Sequence, residues 1–352
     1  MGKLYAEYIR QEPEMLRQIL AARRELAEPL LRFTADRPVE QVFFLGSGSS
    51  WHCGLMCAGL VREALGVRVE CLTSTMADQR EFPRDGLYFA ISQSGTSNST
   101  LGLIRRAREA GGMVVVLTAC AKSPIAQAAE LTVPVLCGEE AIGPKSKGVL
   151  ATVMTLGLLL LELGHKAGRL DDGVVEAHLR EWERSCGCVA EAAQEGERFF
   201  QVHGHELTQA SEWMLLAGPE QIGAARECAL KMLETCWSPA YAWEFEEYMH
   251  GGHYTLGPGR RIFCLFPKDG ARERMERLYR FALEQGAACW ALGLNDEAEW
   301  SWNIPGARGI AGVLSWLAFF QALSNCCSEA REIDCDVPRY PAFHEKMGTK
   351  TL

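Results

Sequence analysis

Three residues in the second half of the chain have side chains that could act together in proton transfer: Lys231, Glu234 and His250. Lys231 and Glu234 lie three residues apart in a stretch of helical periodicity, which places both on one face of a helix. His250 follows Glu234 by sixteen residues. A carboxylate base can take a proton from one sugar carbon and return it to the next. An imidazole titrates near neutral pH, as the opening of a sugar ring requires.

These residues also have a purely structural interpretation. Lys231 and Glu234 could be a solvated ion pair on a helix surface. His250 and His253 could belong to a metal site of the form His-x-x-His, but the spacing of other residues suggests no third ligand, so a turn beside Gly251 is favoured. The interpretation of these residues as catalytic depends on two loops in the first half of the chain.

The elements that would position these residues alternate between strands and helices. Short apolar or β-branched runs predict strands at residues 42–45, 67–72, 87–91, 114–118 and 131–136. Helices are predicted at about residues 3–31, 51–65, 97–110, 123–129 and 147–166. This alternation predicts a parallel sheet with helices on both faces, that is, an α/β fold.

A second cycle of the same kind follows a charged helical segment at residues 171–200. Its strands are predicted at residues 213–217, 261–266 and 288–294, and its helices at 221–235, 271–285 and 312–330. The unit that starts near Gln41 therefore recurs near Glu212. Since the two halves have little sequence identity, we interpret the recurrence as a structural pseudo-repeat.

Two serine-rich loops follow predicted strands and lead into predicted helices: Gly46-Ser-Gly-Ser-Ser50 and Ser92-Gln-Ser-Gly-Thr-Ser97. Glycines let the backbone come close to a ligand, helix N-termini present free N–H groups, and hydroxyls add donors, which together suit a phosphate monoester. Helix capping and turn formation are the alternative explanation. Two such loops at equivalent strand ends favour anion binding, because ligands of open α/β sheets bind there.

Composition and motifs exclude several classes of protein. The net charge of −9 argues against a nucleic-acid partner. The first loop is a poor dinucleotide fingerprint, because Trp51 occupies the third glycine position, and no P-loop lysine follows it. Neither a dinucleotide nor a nucleotide bound by a P-loop is therefore expected, and no cofactor is predicted.

Cysteine usage and hydropathy bear on location. The fourteen cysteines lack the spacing of a metal site, so no metal is expected, and a reducing cytoplasm is the simplest location. The charged N-terminal residues predict no signal peptide. The most apolar run, residues 148–161, is shorter than the roughly 20 residues that a membrane span needs, so no membrane is expected.

The motifs FFLGSGSSWHCG (residues 43–54) and AISQSGTSNST (residues 90–100) resemble the sugar isomerase (SIS) domain. The chain is similar over about residues 35–345 to the isomerase half of glucosamine-6-phosphate synthase and to the fructosamine-6-phosphate deglycases. The resemblance implies two tandem SIS domains, each a parallel sheet flanked by helices in a flavodoxin-like sandwich. It divides the chain into an N-terminal helix (1–34), SIS domain 1 with the phosphate loops (35–170), a connecting helix (171–204), SIS domain 2 (205–332) and a tail near the active site (333–352).

The resemblance also implies roles for individual residues. The segment ECALKMLETCW matches the helix that bears the proton-transfer glutamate, here Glu234, with Lys231 polarising a sugar oxygen. His250 matches the ring-opening histidine, which the partner subunit supplies in this family, so a homodimer with shared active sites is implied. Arg339 matches an arginine near the active site. Residues implied to contact the substrate, a small sugar phosphate, are Ser49, Ser50, Ser92, Gln93, Ser94, Ser97, Ser146 and Glu227.

The C-terminal tail departs from the synthase pattern. The synthase carries a lysine four residues after the matching arginine, where it forms a Schiff base with the ketose, and this chain has Phe343 there. Lys346 or Lys350 could replace it if the tail is longer. Loss of the lysine favours a deglycase, because an Amadori compound carries its own nitrogen on C1. With no glutaminase domain and no cysteine after Met1, glutamine is not expected to supply ammonia.

The sequence therefore predicts a phosphosugar enzyme of the isomerase type, favoured as a 6-phosphofructosamine deglycase that releases glucose 6-phosphate and an amine. An aldose–ketose isomerase and an isomerising deaminase of amino-hexose 6-phosphates are the alternatives within this class. A non-catalytic sugar-phosphate sensor is the alternative outside it. The acidic residues 244–247 slightly favour a cationic amine such as a lysine adduct.

Overall fold

The computed structural model describes residues 3–267, 270–293, 301–307 and 309–351. The chain forms two compact units. We call the first the loop unit, because it contains both serine-rich loops; it comprises Glu14–Ala141, Lys147–Glu183 and Pro338–Leu352. The second, which contains Glu227, Lys231 and Glu234, is the carboxylate unit; it comprises Met1–Pro13, Ile142–Ser146 and Arg184–Val337. The division of the chain at residues 34, 170, 204 and 332 stays a prediction.

The loop unit is built on a parallel five-stranded sheet of order β2-β1-β3-β4-β5. Its strands are β1 (Gln41–Leu45), β2 (Arg68–Leu72), β3 (Gly86–Ile91), β4 (Met113–Thr118) and β5 (Leu131–Pro134). The two strands β3 and β4 are buried along their whole length. Apolar residues occupy both of their faces because helices cover both sides of a parallel sheet.

The carboxylate unit repeats this topology. Its strands are β6 (Trp213–Ala217), β7 (Ala240–Glu244), β8 (Arg261–Leu265), β9 (Ala288–Leu292) and β10 (Ser301–Trp302). They form a parallel sheet of order β10-β9-β8-β6-β7. Counted in its own chain order, each sheet reads 2-1-3-4-5, the doubly wound order of flavodoxin-like folds. The predicted fold class is therefore confirmed, and the two equivalent sheets fit tandem domains.

The helices follow the predicted pattern closely. The predicted N-terminal helix is two helices, and the segment 147–166 is helical over that full range. In chain order the helices are α1 (Lys3–Ala21), α2 (Arg23–Phe33), α3 (Ser49–Leu65), α4 (Ser74–Ala77), α5 (Asn98–Glu109), α6 (Pro124–Ala128), α7 (Lys147–Lys166), α8 (Asp172–Thr208), α9 (Ile222–Cys236), α10 (Phe245–Met249), α11 (Arg272–Glu284), α12 (Val313–Ala330) and α13 (Phe343–Lys346).

The strand β7 was not predicted. Tyr241 and Trp243 are exposed and alternate with less exposed residues along this edge strand. The two-residue strand β10 at the other edge was not predicted either. The predicted strand 131–136 ends earlier, at Pro134. The predicted strand 288–294 ends at Leu292, and Leu294 lies outside the described residues.

Helix α7 is a core helix of the loop unit. Its length and composition would allow it to cross a membrane, but 89% of its most apolar window is buried inside the protein. It packs against α3. The apolar run at residues 148–161 is therefore explained by packing within the unit.

The contact between α3 and β1 depends on a glycine. A Cβ atom on Gly54 would lie 2.5 Å from the Cβ of Phe44, which is too close for any side chain. On the same helix, a Cβ atom on Gly59 would meet nothing within 4 Å. We expect Gly54→Ala to lower the free energy of unfolding by about 1–3 kcal/mol through overpacking.

The matched control, Gly59→Ala, should raise the free energy of unfolding by up to about 1 kcal/mol, because alanine is the better helix former. Urea unfolding followed by circular dichroism measures both. Equal effects of the two substitutions would contradict the close approach of α3 to β1.

Candidate active site

The first serine-rich loop joins β1 to α3. Gly48 has a φ of 56°, in the left-handed region that favours glycine. A Cβ atom on Gly46 would lie 2.9 Å from the Cβ of Ser50, so the chain turns back tightly at this point. Ser49 and Ser50 form the first turn of α3 and are half-buried. The loop thus places two hydroxyls beside the N–H groups of a helix N-terminus.

The second loop joins β3 to α5 and is held by the neighbouring strand β4. The carbonyl oxygen of Gln93 accepts hydrogen bonds from Ala119 N at 3.0 Å and from Thr118 Oγ1 at 3.1 Å. Gly95 has a φ of 68°, and a Cβ atom there would lie 2.0 Å from Ser123 Oγ. A residue other than glycine at position 95 would therefore be strained and would displace Ser123.

Hydroxyl groups connect the two loops. Ser97 Oγ lies 3.0 Å from Ser99 Oγ, and Ser47 Oγ lies 3.5 Å from the same atom. Ser94 Oγ lies 3.0 Å from Thr96 Oγ1. Since β1 and β3 are neighbours in the sheet, the loops that follow them meet at its carboxyl edge, as the sequence predicted for an anion site. Ser92 is buried at the start of the second loop.

Ser97 also caps α5, because its Oγ accepts a hydrogen bond from Thr100 N at 3.4 Å. The capping interpretation of this residue thus describes an interaction that is present. Capping fixes the hydroxyl at the helix N-terminus and is compatible with a ligand there.

A buried carboxylate that sequence reasoning missed orients Gln93. The Gln93 Nε2 donates to Glu140 Oε2 at 2.5 Å. Glu140 also accepts from the backbone N–H of Lys147 at 3.1 Å and of Gly148 at 2.8 Å, so it caps α7 as well. A Cβ atom on Gly148 would lie 2.1 Å from Gln93 Cδ. The position of Glu140, seven residues before the helix, matches no capping motif, and the sequence therefore gave no signal for it.

Ser146 is fully buried and belongs to the carboxylate unit. Its carbonyl oxygen accepts from Gln321 Nε2, a fully buried side chain on α12, at 3.4 Å. Lys145 donates to the Ile142 carbonyl oxygen at 2.7 Å, which folds this short segment onto itself. Lys147, the first residue of α7, is buried rather than being a surface lysine.

The centre of the carboxylate unit is an ammonium group between two carboxylates on helix α9. Lys231 Nζ lies 3.2 Å from Glu227 Oε1 and 2.7 Å from Glu234 Oε2. Positions 227, 231 and 234 share one face of the helix, because residues three and four apart are neighbours there. The Glu227 and Lys231 side chains are 0% and 1% exposed, whereas that of Glu234 is 31% exposed.

Electrostatics keep Lys231 charged in this position. Burial alone would lower its pKa, but the carboxylates of Glu227 and Glu234 raise it above the ordinary lysine value. Lys231 therefore stays protonated at neutral pH. The exposed end of the triad is the carboxylate that the sequence assigned to proton transfer.

Helix α1 contributes a second feature that sequence reasoning missed. Tyr5 and Glu12 are both fully buried on this helix. Burial raises the pKa of the Tyr5 hydroxyl well above its usual value, the neighbouring Ser324 hydroxyl lowers it, and the charges of Glu12 and Glu234 raise it further. Tyr5 is thus a neutral hydroxyl in the surroundings of Glu234. A buried glutamate within a helix of mixed polarity gives no sequence signal of its own.

The remaining predicted residues are exposed. His250 ends α10, and its backbone N–H donates to the Glu247 carbonyl oxygen at 3.0 Å. Arg339 lies in the tail, with its guanidinium 5.3 Å from the centroid of the Tyr340 ring. Phe343, at the position of the synthase lysine, begins α13 and is 52% exposed.

The triad makes a prediction about stability. Lys231→Met removes the charge that neutralises the fully buried Glu227, so we expect the free energy of unfolding to fall by about 3–5 kcal/mol at pH 7. The raised pKa means that the contribution of Lys231 is fully present below about pH 10.4, the ordinary lysine value, and is lost as the pH rises through the folded value. The difference from the wild type should therefore persist from about pH 6 to about pH 9, because Lys231 stays protonated over that range.

Denaturant unfolding at several pH values measures this difference. Lys166→Met, which removes an exposed lysine of the loop unit, is the control for loss of one positive charge and should cost less than about 1 kcal/mol. If the free energy of unfolding fell no more for Lys231→Met than for the control, the buried triad would not be formed in solution.

Comparison with known proteins supports the assignment of the fold. Residues 37–162 match the SIS domain family. The glutamine–fructose-6-phosphate aminotransferase [isomerizing] of Symbiobacterium thermophilum is 24% identical over 354 residues, which cover 94% of this chain and 57% of that protein. The chain therefore spans somewhat more than half the length of this curated relative.

Two solved structures have the same fold over the whole chain. A candidate phosphosugar isomerase from Clostridium difficile 630 has a TM-score of 0.89 at 22% identity, covering 100% of both chains. The C-terminal domain of glucosamine-fructose-6-phosphate aminotransferase from Francisella tularensis has a TM-score of 0.86 at 15% identity, covering 96% of this chain and 99% of that one. The resemblance noted in the sequence is confirmed over residues 37–162, which match the SIS domain family.

Proposed function

We propose that this chain is a phosphosugar enzyme of the isomerase type, in which the serine-rich loops bind the phosphate of a hexose 6-phosphate and Glu234 transfers a proton between C1 and C2. The observation that carries the proposal is the triad on α9, in which a buried ammonium holds one partly exposed carboxylate. The SIS domain match and the names of the relatives support the same class of substrate.

The triad suits a base that must act repeatedly. The hydrogen bond from Lys231 fixes the Glu234 carboxylate in one orientation, so little positioning entropy remains to be lost when the substrate binds. Glu227 in turn holds Lys231, because a fully buried ammonium needs a counter-charge. We assign Lys231 the additional role of polarising the sugar oxygen, and Arg339 the stabilisation of charge on a substrate hydroxyl.

We assign ring opening to His250 of a second copy of the chain in a homodimer. His250 is exposed at the end of α10, where another chain can reach it. An imidazole can take the hydroxyl proton and return it to the ring oxygen.

We favour a deglycase because Phe343 replaces the Schiff-base lysine. In a 6-phosphofructosamine, Glu234 would remove a proton from C1 and return it to C2, while the amine nitrogen loses a proton and the C2 oxygen gains one. The C2 ketone thereby becomes a hydroxyl and a C1=N bond remains. Water then adds to that bond and the amine departs, giving glucose 6-phosphate. Residues 244–247 favour a cationic amine.

We further propose a reducing, cytoplasmic location. All fourteen cysteines lie within the described residues, and none forms a disulfide bond. Burial raises the pKa of several of their thiols, among them Cys71 to about 12 and Cys289 to about 12. Such thiols are inert packing groups that persist in a reducing compartment.

The proton-transfer role is tested by Glu234→Gln. The amide keeps the shape and a hydrogen-bonding oxygen but cannot take a proton, so we expect turnover to fall by about 100-fold or more while phosphosugar affinity stays within about threefold. Glu220→Gln, an exposed glutamate of the same unit, is the control. Turnover at the wild-type rate in Glu234→Gln would show that Glu234 is not the base. If the wild type itself bound phosphosugars but turned none of them over, the non-catalytic sensor would be favoured.

The reaction is tested with a panel of 6-phosphofructosamines that includes ε-fructosyl-lysine and α-fructosyl-aspartate forms. Release of glucose 6-phosphate, followed with a coupled dehydrogenase, is the expected result, with the lysine adduct as the preferred substrate. If the protein acted only on fructose 6-phosphate or glucosamine 6-phosphate, the deglycase proposal would be wrong. An aldose–ketose isomerase or an isomerising deaminase would then take its place.

A further inference from the structure

The end of the chain pairs with the second serine-rich loop as a short antiparallel strand. Asn98 N donates to Thr349 O at 3.1 Å, and Thr351 N donates to Thr96 O at 2.8 Å. Ser97 and Lys350 face each other across this pairing. All of these residues belong to the loop unit, so the pairing is an internal feature of that unit.

Asn98 fastens the tail with its side chain as well as its backbone. Its Nδ2 donates to Gly348 O at 2.7 Å, and its Oδ1 accepts from Thr351 Oγ1 at 2.6 Å. Within the tail, Thr349 N donates to His344 O at 3.1 Å, which folds the last residues back on α13. These bonds satisfy the first N–H group of α5 and place the tail beside the phosphate loop.

The geometry of the pairing fixes the direction of the Lys350 side chain. The backbone bonds lie on either side of Ser97 and Lys350, which makes these two residues a non-hydrogen-bonded pair. In such a pair the two side chains project from the same face and approach each other closely. Lys350 thus extends from the face on which the Ser97 hydroxyl lies.

The charges around the two serine-rich loops bear on the role of Lys350. Residues 46–50 and 92–97 contain no lysine, arginine or histidine, and the whole chain has a net charge of −9. A phosphate monoester carries close to two negative charges at neutral pH, so neutral hydroxyls and amides leave it uncompensated. Lys350 is exposed. Partial burial and then the charge of Lys350 lower the pKa of His344.

We propose that Lys350 is a substrate-binding residue that neutralises the phosphate held by the two serine-rich loops, and that Asn98 positions it by fastening the tail. This inference rests on the proposed function, since it requires that the loops bind a sugar phosphate. It assigns Lys350 a role through its charge and not through an iminium with the sugar. Of the two tail lysines, Lys346 and Lys350, it is Lys350 whose backbone pairs with the second serine-rich loop.

The test measures binding of glucose 6-phosphate by isothermal titration calorimetry. We expect Lys350→Met to weaken binding about tenfold, as expected for loss of a charge-assisted contact, and Lys350→Arg to stay within about threefold of the wild type. Lys166→Met is the control for a general loss of charge and should bind as the wild type does. The affinity of the wild type should also fall more steeply with salt than that of Lys350→Met.

A double-mutant cycle tests the positioning role. Asn98→Ala should weaken binding of glucose 6-phosphate by about three- to tenfold, and in the Lys350→Met background it should cause little further loss, because the tail then carries no charge to position. Additive effects of the two substitutions would overturn the role of Asn98. Circular dichroism of each variant establishes that the fold is intact.

Three results separate the possible failures. Wild-type affinity in Lys350→Met would overturn the role of Lys350 and leave the proposed function standing. Normal affinity but lost turnover in both Lys350→Met and Lys350→Arg would overturn the charge role in favour of a covalent one. Absence of binding to glucose 6-phosphate, fructose 6-phosphate and glucosamine 6-phosphate by the wild type would overturn the proposed function, and this inference with it.

Discussion

The buried charge of Lys231 constrains the carboxylate unit more than any other interaction. An ammonium group that is 1% exposed is tolerated only if carboxylates reach it in good geometry, and Glu227 and Glu234 do so from the same helix. The helix must therefore keep a fixed rotation about its axis, with Glu227 inward and Glu234 toward the surface. This arrangement compensates the buried charge of Lys231 and also leaves the Glu234 carboxylate oriented and partly exposed.

The phosphate site proposed for the loop unit would have to bind an anion although the chain has a negative net charge. Hydroxyls and helix N-termini at the carboxyl edge of a parallel sheet supply partial positive charge without a cation. Glu140 holds Gln93, and Gly95 lets the second loop lie against Ser123. The tail adds a full charge at Lys350.

The repeated 2-1-3-4-5 topology shows how one fold can carry both the serine-rich loops and the triad. Each sheet presents its loops at the carboxyl edge, where ligands of open α/β sheets bind, and the two halves differ there. In the first sheet the loops after β1 and β3 are rich in serine, whereas in the second the helix after β6 carries the triad. Loops at strand ends can differ between the halves because they lie outside the packed core of strands and helices.

By itself the sequence determined the fold class, most of the strands and helices, the two loops and the shared helix face of Lys231 and Glu234, because all of these follow from local periodicity and composition. It did not reveal the two edge strands β7 and β10. The contacts of Glu140 with Gln93, of Tyr5 with the surroundings of Glu234 and of Lys350 with Ser97 join segments 47, 229 and 253 residues apart. Only the tertiary structure decides such contacts, since no local rule of spacing relates residues that chain folding alone brings together.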